Sequence, residues 1–406
     1  MIVHLTPNTM TINRLHCYAL AIFIGLLLAL QPFMGRGIYI VVLQYSVILS
    51  LASAMLIVRI VKGHESISTL SILVASALGM SGLGAISLNP VTISGGGLAL
   101  GLSLVGLFII SRWLFYNNLA SIAFLAGLLM LAFLTGQTIL EFGVSAQSLN
   151  EVLPRGSRNA LLFYLLAFSL GYVTAAYVET NKLHMWPALA VLLLAIVAGT
   201  RGPVLTAIVF AGAVVAFRIS FLPKRRYVLF GAVSIAIGVS LFIFHFGGAI
   251  YETTKFANKG FETPRFQMWQ AYLEALTGGS VMFGQNIEGV PLVANTWGGN
   301  PHSAFIKFHS HFGIIPLFLL LFTTLILVSF KSAGYAVASI AAMILLMRGI
   351  TDINLVGTSA DMVFVYLLVL LSRRVRLVPA NVSTPKNTVH RALLVGNGMD
   401  STHSIS

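Results

Sequence analysis

The sequence predicts an all-α polytopic membrane protein of about twelve transmembrane helices with one long helical loop on the outer side. Three observations predict it. The chain is 57% apolar and only 9% charged, too little polar surface to keep a water-soluble domain of 406 residues dispersed. Apolar runs recur along its length at the size needed to cross a hydrocarbon core about 30 Å thick, roughly 20 residues each. One stretch, residues 247–311, breaks that rhythm with polar residues, glycines and two proline-led helix starts.

In order, the runs lie near residues 16–33, 38–60, 69–87, 97–111, 118–136 and 160–178, then 185–199, 203–219, 227–246, 313–330, 333–350 and 357–372. The first is too long for a signal-peptide core and lacks a small-residue cleavage site, so it reads as a retained span. The stretch from 379 to 406 is polar and poor in core residues and reads as a disordered cytoplasmic tail. Residues 1–378 therefore form one transmembrane domain that includes the 247–311 loop. Cys17 is the single cysteine, which excludes an intramolecular disulfide and a cysteine metal cluster.

The net charge of +13 is sorted by membrane side before it says anything about partners. With the N-terminus in the cytoplasm, most of the 24 Lys and Arg residues fall inside, clustered at helix ends as topology anchors. No basic patch interleaved with aromatics is present, so nucleic acid is not a predicted partner. Left outside are Arg36, Arg155, Arg158, Arg201, Lys255, Lys259, Arg265, Lys307 and Arg348. Arginine dominates that set, and its planar fork suits phosphate. Contact with lipid headgroups is the alternative, and it suits Arg36 and Arg155 best. The two halves show no convincing repeat and charged residues avoid span centres, which argues against a transporter built from inverted repeats.

Within the loop, Glu262-Thr263-Pro264-Arg265 starts a helix with Thr263 as N-cap and Pro264 at the first position. Phe266, Trp269, Leu273 and Leu276 recur at helical spacing until Gly278-Gly279 stops it. Such a helix lies at the interface with its aromatic face in lipid. Arg265 in its first turn either holds an anion with the backbone amides or merely snorkels. Asn300-Pro301-His302 reads as a second start. It puts His302 in a first turn, where the positive helix end favours the neutral imidazole that a general base requires, and on one face with Ile306 and His309. A structural histidine is the alternative. His302, His309 and His311 match no common zinc spacing and lack nearby cysteines or paired carboxylates. No metal site and no cofactor site is read. Arg158, Arg348 and Asp352 fall on the same outward side. Asp352 either orients a histidine or an arginine, or caps the twelfth span.

Three of these patterns, in this order, resemble the O-antigen ligase and polymerase superfamily. Thr200-Arg201-Gly202-Pro203 resembles its Ser/Thr-Arg-Gly/Ala element. Arg265-Phe266-Gln267-Met268-Trp269, with Phe283-Gly284 after it, resembles its Arg-x-x-x-Trp helix and the glycine turn that follows. His302, with Gly313 eleven residues on, resembles its His-Asn element and downstream glycine, with Ser303 where the family usually has asparagine. The resemblance implies a metal-independent, inverting C-type glycosyltransferase in the bacterial inner membrane, its active site facing the periplasm. The implied donor is an undecaprenyl-diphosphate-linked glycan, and the implied acceptor of a ligase is lipid A-core. Arg201 and Arg265 become the diphosphate clamps and His302 the base, with Arg158, Arg348 and Asp352 as further substrate-binding candidates. A polymerase joining lipid-linked repeat units uses the same donor chemistry. A lipid-linked sugar flippase or transporter is the alternative of a different class.

Overall fold

The computed structural model describes residues 7–33, 47–48, 50–55, 96–153, 157–220, 264–287, 289–295, 300–329, 336–350, 352, 355 and 358–375. The runs read at 69–87 and 227–246, most of that at 38–60, and the tail from 379 lie outside the described residues. So do Arg36, Arg155, Lys255 and Lys259.

The described chain is all helix and turn. Bundle helices α1 (Pro7–Leu30), α2 (Gly96–Asn117), α3 (Ala120–Phe142), α5 (Arg158–Thr180), α6 (Trp186–Ala198) and α7 (Arg201–Ser220) precede the loop region, with short α4 (Ser148–Glu151) between α3 and α5. Small helices α8 (Pro264–Glu274), α9 (Gly278–Phe283), α10 (Pro291–Asn295) and α11 (Ala304–Phe312) follow. The bundle resumes with α12 (Ile314–Ser329), α13 (Ala336–Ile350) and α14 (Ala360–Val375). Among the described residues, four helical segments are long and apolar enough to cross a membrane: Arg14–Phe33, Leu100–Asn117, Ala120–Phe142 and Arg158–Thr180. Shorter apolar helices at Trp186–Ala198, Gly202–Arg218, Ala336–Ile350 and Ala360–Ser372 accompany them. The chain is built as an all-α membrane protein.

Several helices run past the apolar runs that mark them. α3 continues to Phe142 rather than ending near 136, and two of its polar residues are satisfied within the helix. Thr135 and Thr138 donate their hydroxyls to the carbonyls of Leu131 (2.7 Å) and Leu134 (3.1 Å).

The hub is α5. Every residue from Leu161 to Ala176 is buried, the mark of a helix apolar all round and enclosed by others. It packs on α3, α6, α7, α13 and α14. Against α3 it is also clamped by charge: Glu179 accepts the amide of Ala120 at 2.9 Å and both the amide and hydroxyl of Ser121. Those amides are the unpaired donors of the α3 N-terminus, where a carboxylate is favoured. On its other side α3 crosses α1 at small residues. A Cβ at Gly25 would stand 1.9 Å from the Ala123 carbonyl oxygen, so only glycine lets the two backbones come this close.

The three helices α5, α7 and α13 meet around one small cavity. The later parts of α5 (Leu170 to Thr174) and α7 (Phe210 to Phe217) line it together with the earlier part of α13 (Val337 to Ile344). α14 runs with α5, Val363 lying at Gly171 and Tyr366 within reach of Glu179, so α13, which precedes it, runs antiparallel to α5 and α7. Its end, at Arg348, shares one end of the bundle with the starts of α5 and α7, at Arg158 and Arg201.

Candidate functional site

The small helices α8 to α11 sit against that end. Met268 and Tyr272 of α8 are buried with Val290 and Val293 in a satellite core, on which Ile306 of α11 also packs. The face in this core is thus Met268/Tyr272, while Phe266 and Leu273 stay exposed as a lipid-facing pair would. Trp269 departs from the predicted aromatic face. Its indole N–H turns inward and donates to the Pro301 carbonyl at 2.7 Å. The helix also ends sooner than Gly278-Gly279, at Glu274. Those glycines begin α9, where Thr277 and Ser280 form a reciprocal capping box.

Two glycines join α9 to α11. Gly284 and Gly313 both lie in the positive-φ region, at 99° and 76°. A Cβ on Gly313 would be 1.9 Å from the Met282 carbonyl oxygen, and one on Gly284 would be 2.6 Å from the carbonyl oxygens of His309 and Ser310. Neither position accepts a side chain. His309 locks the same junction. Its Nε2–H donates to the Val281 carbonyl at 3.0 Å, which leaves Nδ1 to accept the Tyr272 hydroxyl at 2.8 Å. Burial pushes His309 below the usual histidine range and Tyr272 well above the usual tyrosine value. The ring stays neutral and ties α8, α9 and α11 together.

His302 is placed differently from the sequence expectation. α11 starts at Ala304 with Ser303 as N-cap, its hydroxyl accepting the Ile306 amide at 3.5 Å. Neither Pro301 nor His302 is helical, so His302 does not share a helix face with Ile306 and His309. Its φ is 49°, a left-handed conformation that residues with a Cβ seldom adopt. The side chain of Asn300 makes the turn, accepting the His302 amide at 2.8 Å. The imidazole is indeed held neutral, at about 4, but by burial first and then by the Arg265 charge, rather than by a helix end.

The turn reaches the end of α13. The Cβ of Ala304 lies 3.6 Å from where a Gly349 Cβ would be, one residue from Arg348. Arg348 and Asp352 form a buried ion pair, Nη2 to Oδ2, at 2.8 Å. Arg265 lies within electrostatic reach of His302, Asp352 and Arg348. Burial lowers its proton affinity and Asp352 partly restores it. Asp352 therefore orients arginine. Four of the six candidates, Arg265, His302, Arg348 and Asp352, form one cluster.

Arg158 is occupied elsewhere. Its amide donates to Asn150 Oδ1 at 3.0 Å and its Nη1 to the Ala146 carbonyl at 3.4 Å, which holds the α4 loop. Arg201 opens α7 at the same end of the bundle, and its side chain lies outside the described residues. His311 is also held neutral, at about 4, by burial and the Lys307 charge. Among the described residues no group of three or more His, Cys, Asp or Glu is arranged to hold a metal ion.

Trp269, Asn300 and Tyr272 were not singled out as site residues from sequence. Asn300 was legible, since Asn-Pro favours a side-chain turn. No family model matches the chain, and neither a curated protein nor a solved structure matches it.

Proposed function

We propose that the chain is a membrane glycosyltransferase of the O-antigen ligase type. It transfers a glycan from undecaprenyl diphosphate to lipid A-core at the periplasmic face of the bacterial inner membrane. The observation that carries this reading is the meeting of Arg265 and the buried Arg348–Asp352 pair with a neutral His302. Breaking a glycosyl–diphosphate bond leaves growing negative charge on the leaving group. Fixed guanidiniums stabilise that charge in a site poor in water. Arg265 supplies one, the start of α7 brings Arg201 to the same end, and Asp352 holds Arg348 in place.

His302 takes the proton from the attacking acceptor hydroxyl, and the sugar inverts in a single displacement. With an affinity near 4, its imidazole is neutral in the free enzyme yet a weak base. A bound diphosphate offsets the Arg265 charge, the lesser of the two causes that depress His302, so the base strengthens in part once its substrate is in place. The acceptor face is the membrane boundary, which agrees with Phe266 and Leu273 pointing away from the core. The full plan of twelve spans, with residues 247–311 outside and the tail inside, belongs to this reading.

The test is transfer by purified protein in detergent with a lipid-linked polymer as donor and lipid A-core as acceptor. Product on the core supports a ligase. Extension of a second lipid-linked unit instead supports a polymerase, which shares the donor chemistry. Absence of transfer with either acceptor, alongside movement of the lipid-linked glycan across sealed vesicles, favours a flippase.

A further inference from the structure

We propose that Trp269 is the positioning residue for His302: through its indole N–H, α8 holds the peptide that sets the direction of the imidazole. The proposal rests on the reading of His302 as proton acceptor, but its geometry stands without that reading. The Pro301–His302 peptide is one rigid plane. Its carbonyl oxygen accepts from Trp269 at 2.7 Å, and its N–H donates to Asn300 at 2.8 Å. Gripped at both ends, the plane cannot rotate. The φ of His302 is measured from that plane, and its 49° value lies in the left-handed region, which a residue with a Cβ enters at a cost.

The two grips differ in reach. The Asn300 bond is internal to the turn and travels with it. The Trp269 bond comes from another helix and fixes where the turn sits. Trp269 also lies four residues after Arg265, so both project from one side of α8. A single short helix thereby sets the imidazole's position and the charge beside it. The anchors of α8 are separate, namely Met268 and Tyr272 in the satellite core, so loss of the indole N–H leaves the helix seated.

The experiment compares the full-length protein with Trp269→Phe and with benzothienylalanine at 269, which deletes only the donor. The first readout is the rate at which diethyl pyrocarbonate modifies His302, resolved by mass spectrometry, with the locked His309 as internal control. It needs no assumption about activity. We expect faster modification of His302 in both variants and no change at His309.

The second readout is transfer against pH. Turnover falls by about 10²-fold, the size expected for a displacement of about 1 Å, with KM for the lipid-linked donor unchanged. The acid limb of kcat/KM moves up from about 4 toward roughly 6.5, the free-histidine value. Unchanged His302 reactivity overturns the proposal, as does a loss of turnover that tracks thermal stability with the acid limb unmoved. Faster His302 modification with transfer intact upholds the positioning and removes His302 as the base.

Discussion

His302 in the 300–303 turn and His309 in α11, the helix it feeds, are held differently. At His309 the ring itself is fixed, one nitrogen donating to Val281 and the other accepting from Tyr272. A proton on that ring has a structural task, and surrendering it would break a junction of three helices. At His302 two hydrogen bonds hold the preceding peptide, and the Arg265 charge acts on the imidazole. Both rings are neutral, and both are depressed mainly by burial. Depressed affinity alone therefore does not mark a base. The distinction lies in what each histidine serves: His309 joins three helices, and His302 stands beside the Arg265 charge.

The sharpest way to break this comparison is to remove each ring in turn. His302→Ala is expected to lower turnover by about 10²–10⁴-fold, the range for losing a positioned general base, with no change in thermal midpoint. His309→Ala is expected to act on stability instead. It strands the Tyr272 hydroxyl and the Val281 carbonyl, at about 1–3 kcal/mol for each buried group left unpaired. Thermal unfolding in detergent beside a transfer assay reads both. A folded, inactive His309→Ala protein would reverse the assignment.

The same logic separates the two arginines of the cluster. Arg348 is buried against Asp352, whereas Arg265 is half-buried. Asp352→Asn leaves the Arg348 charge uncompensated, and loss of one partner from a buried pair costs about 3–5 kcal/mol. A thermal midpoint unchanged by Asp352→Asn would mean that another group holds Arg348. Arg265→Gln should spare the fold and alter the pH profile. His302 is depressed below its free value, so the free enzyme keeps a neutral imidazole above about 4, and kcat/KM falls only as pH drops through that point. Without the Arg265 charge the affinity rises, and the acid limb moves to higher pH. A limb that stays put would show that the two groups do not interact.

What the sequence discloses follows from how long-range each determinant is. The bundle helices are legible because a span of about 20 apolar residues has one solution in lipid. The start of α8 is legible from Pro264, since proline at a first helical position is a local signal. The α11 start is not, because two local signals compete there. Asn300-Pro301 resembles a helix start, yet Ser303 is the better cap and Asn300 spends its side chain on the turn. The inward rotation of Trp269 is invisible for another reason. Its partner is a carbonyl 32 positions away, and no periodicity within α8 records it.

The smallest expected effect concerns Ser303, which stands where the resembled family usually carries asparagine. The structure gives its hydroxyl a task inside the chain, the Ile306 amide at 3.5 Å. That length is the outer edge of a hydrogen bond, so the cap is weak. Ser303→Ala should cost stability near the low end of the range for lost caps, about 0.5 kcal/mol. Asparagine caps as well as serine does, so Ser303→Asn should match the wild type in both unfolding and turnover. The reason is geometric: position 303 is the hinge between a turn fixed by Trp269 and a helix fixed by His309, and either residue closes it. A Ser303→Asn protein that folds normally but changes KM for donor or acceptor would show that the hydroxyl faces substrate. It would then move the edge of the site a residue closer to α11.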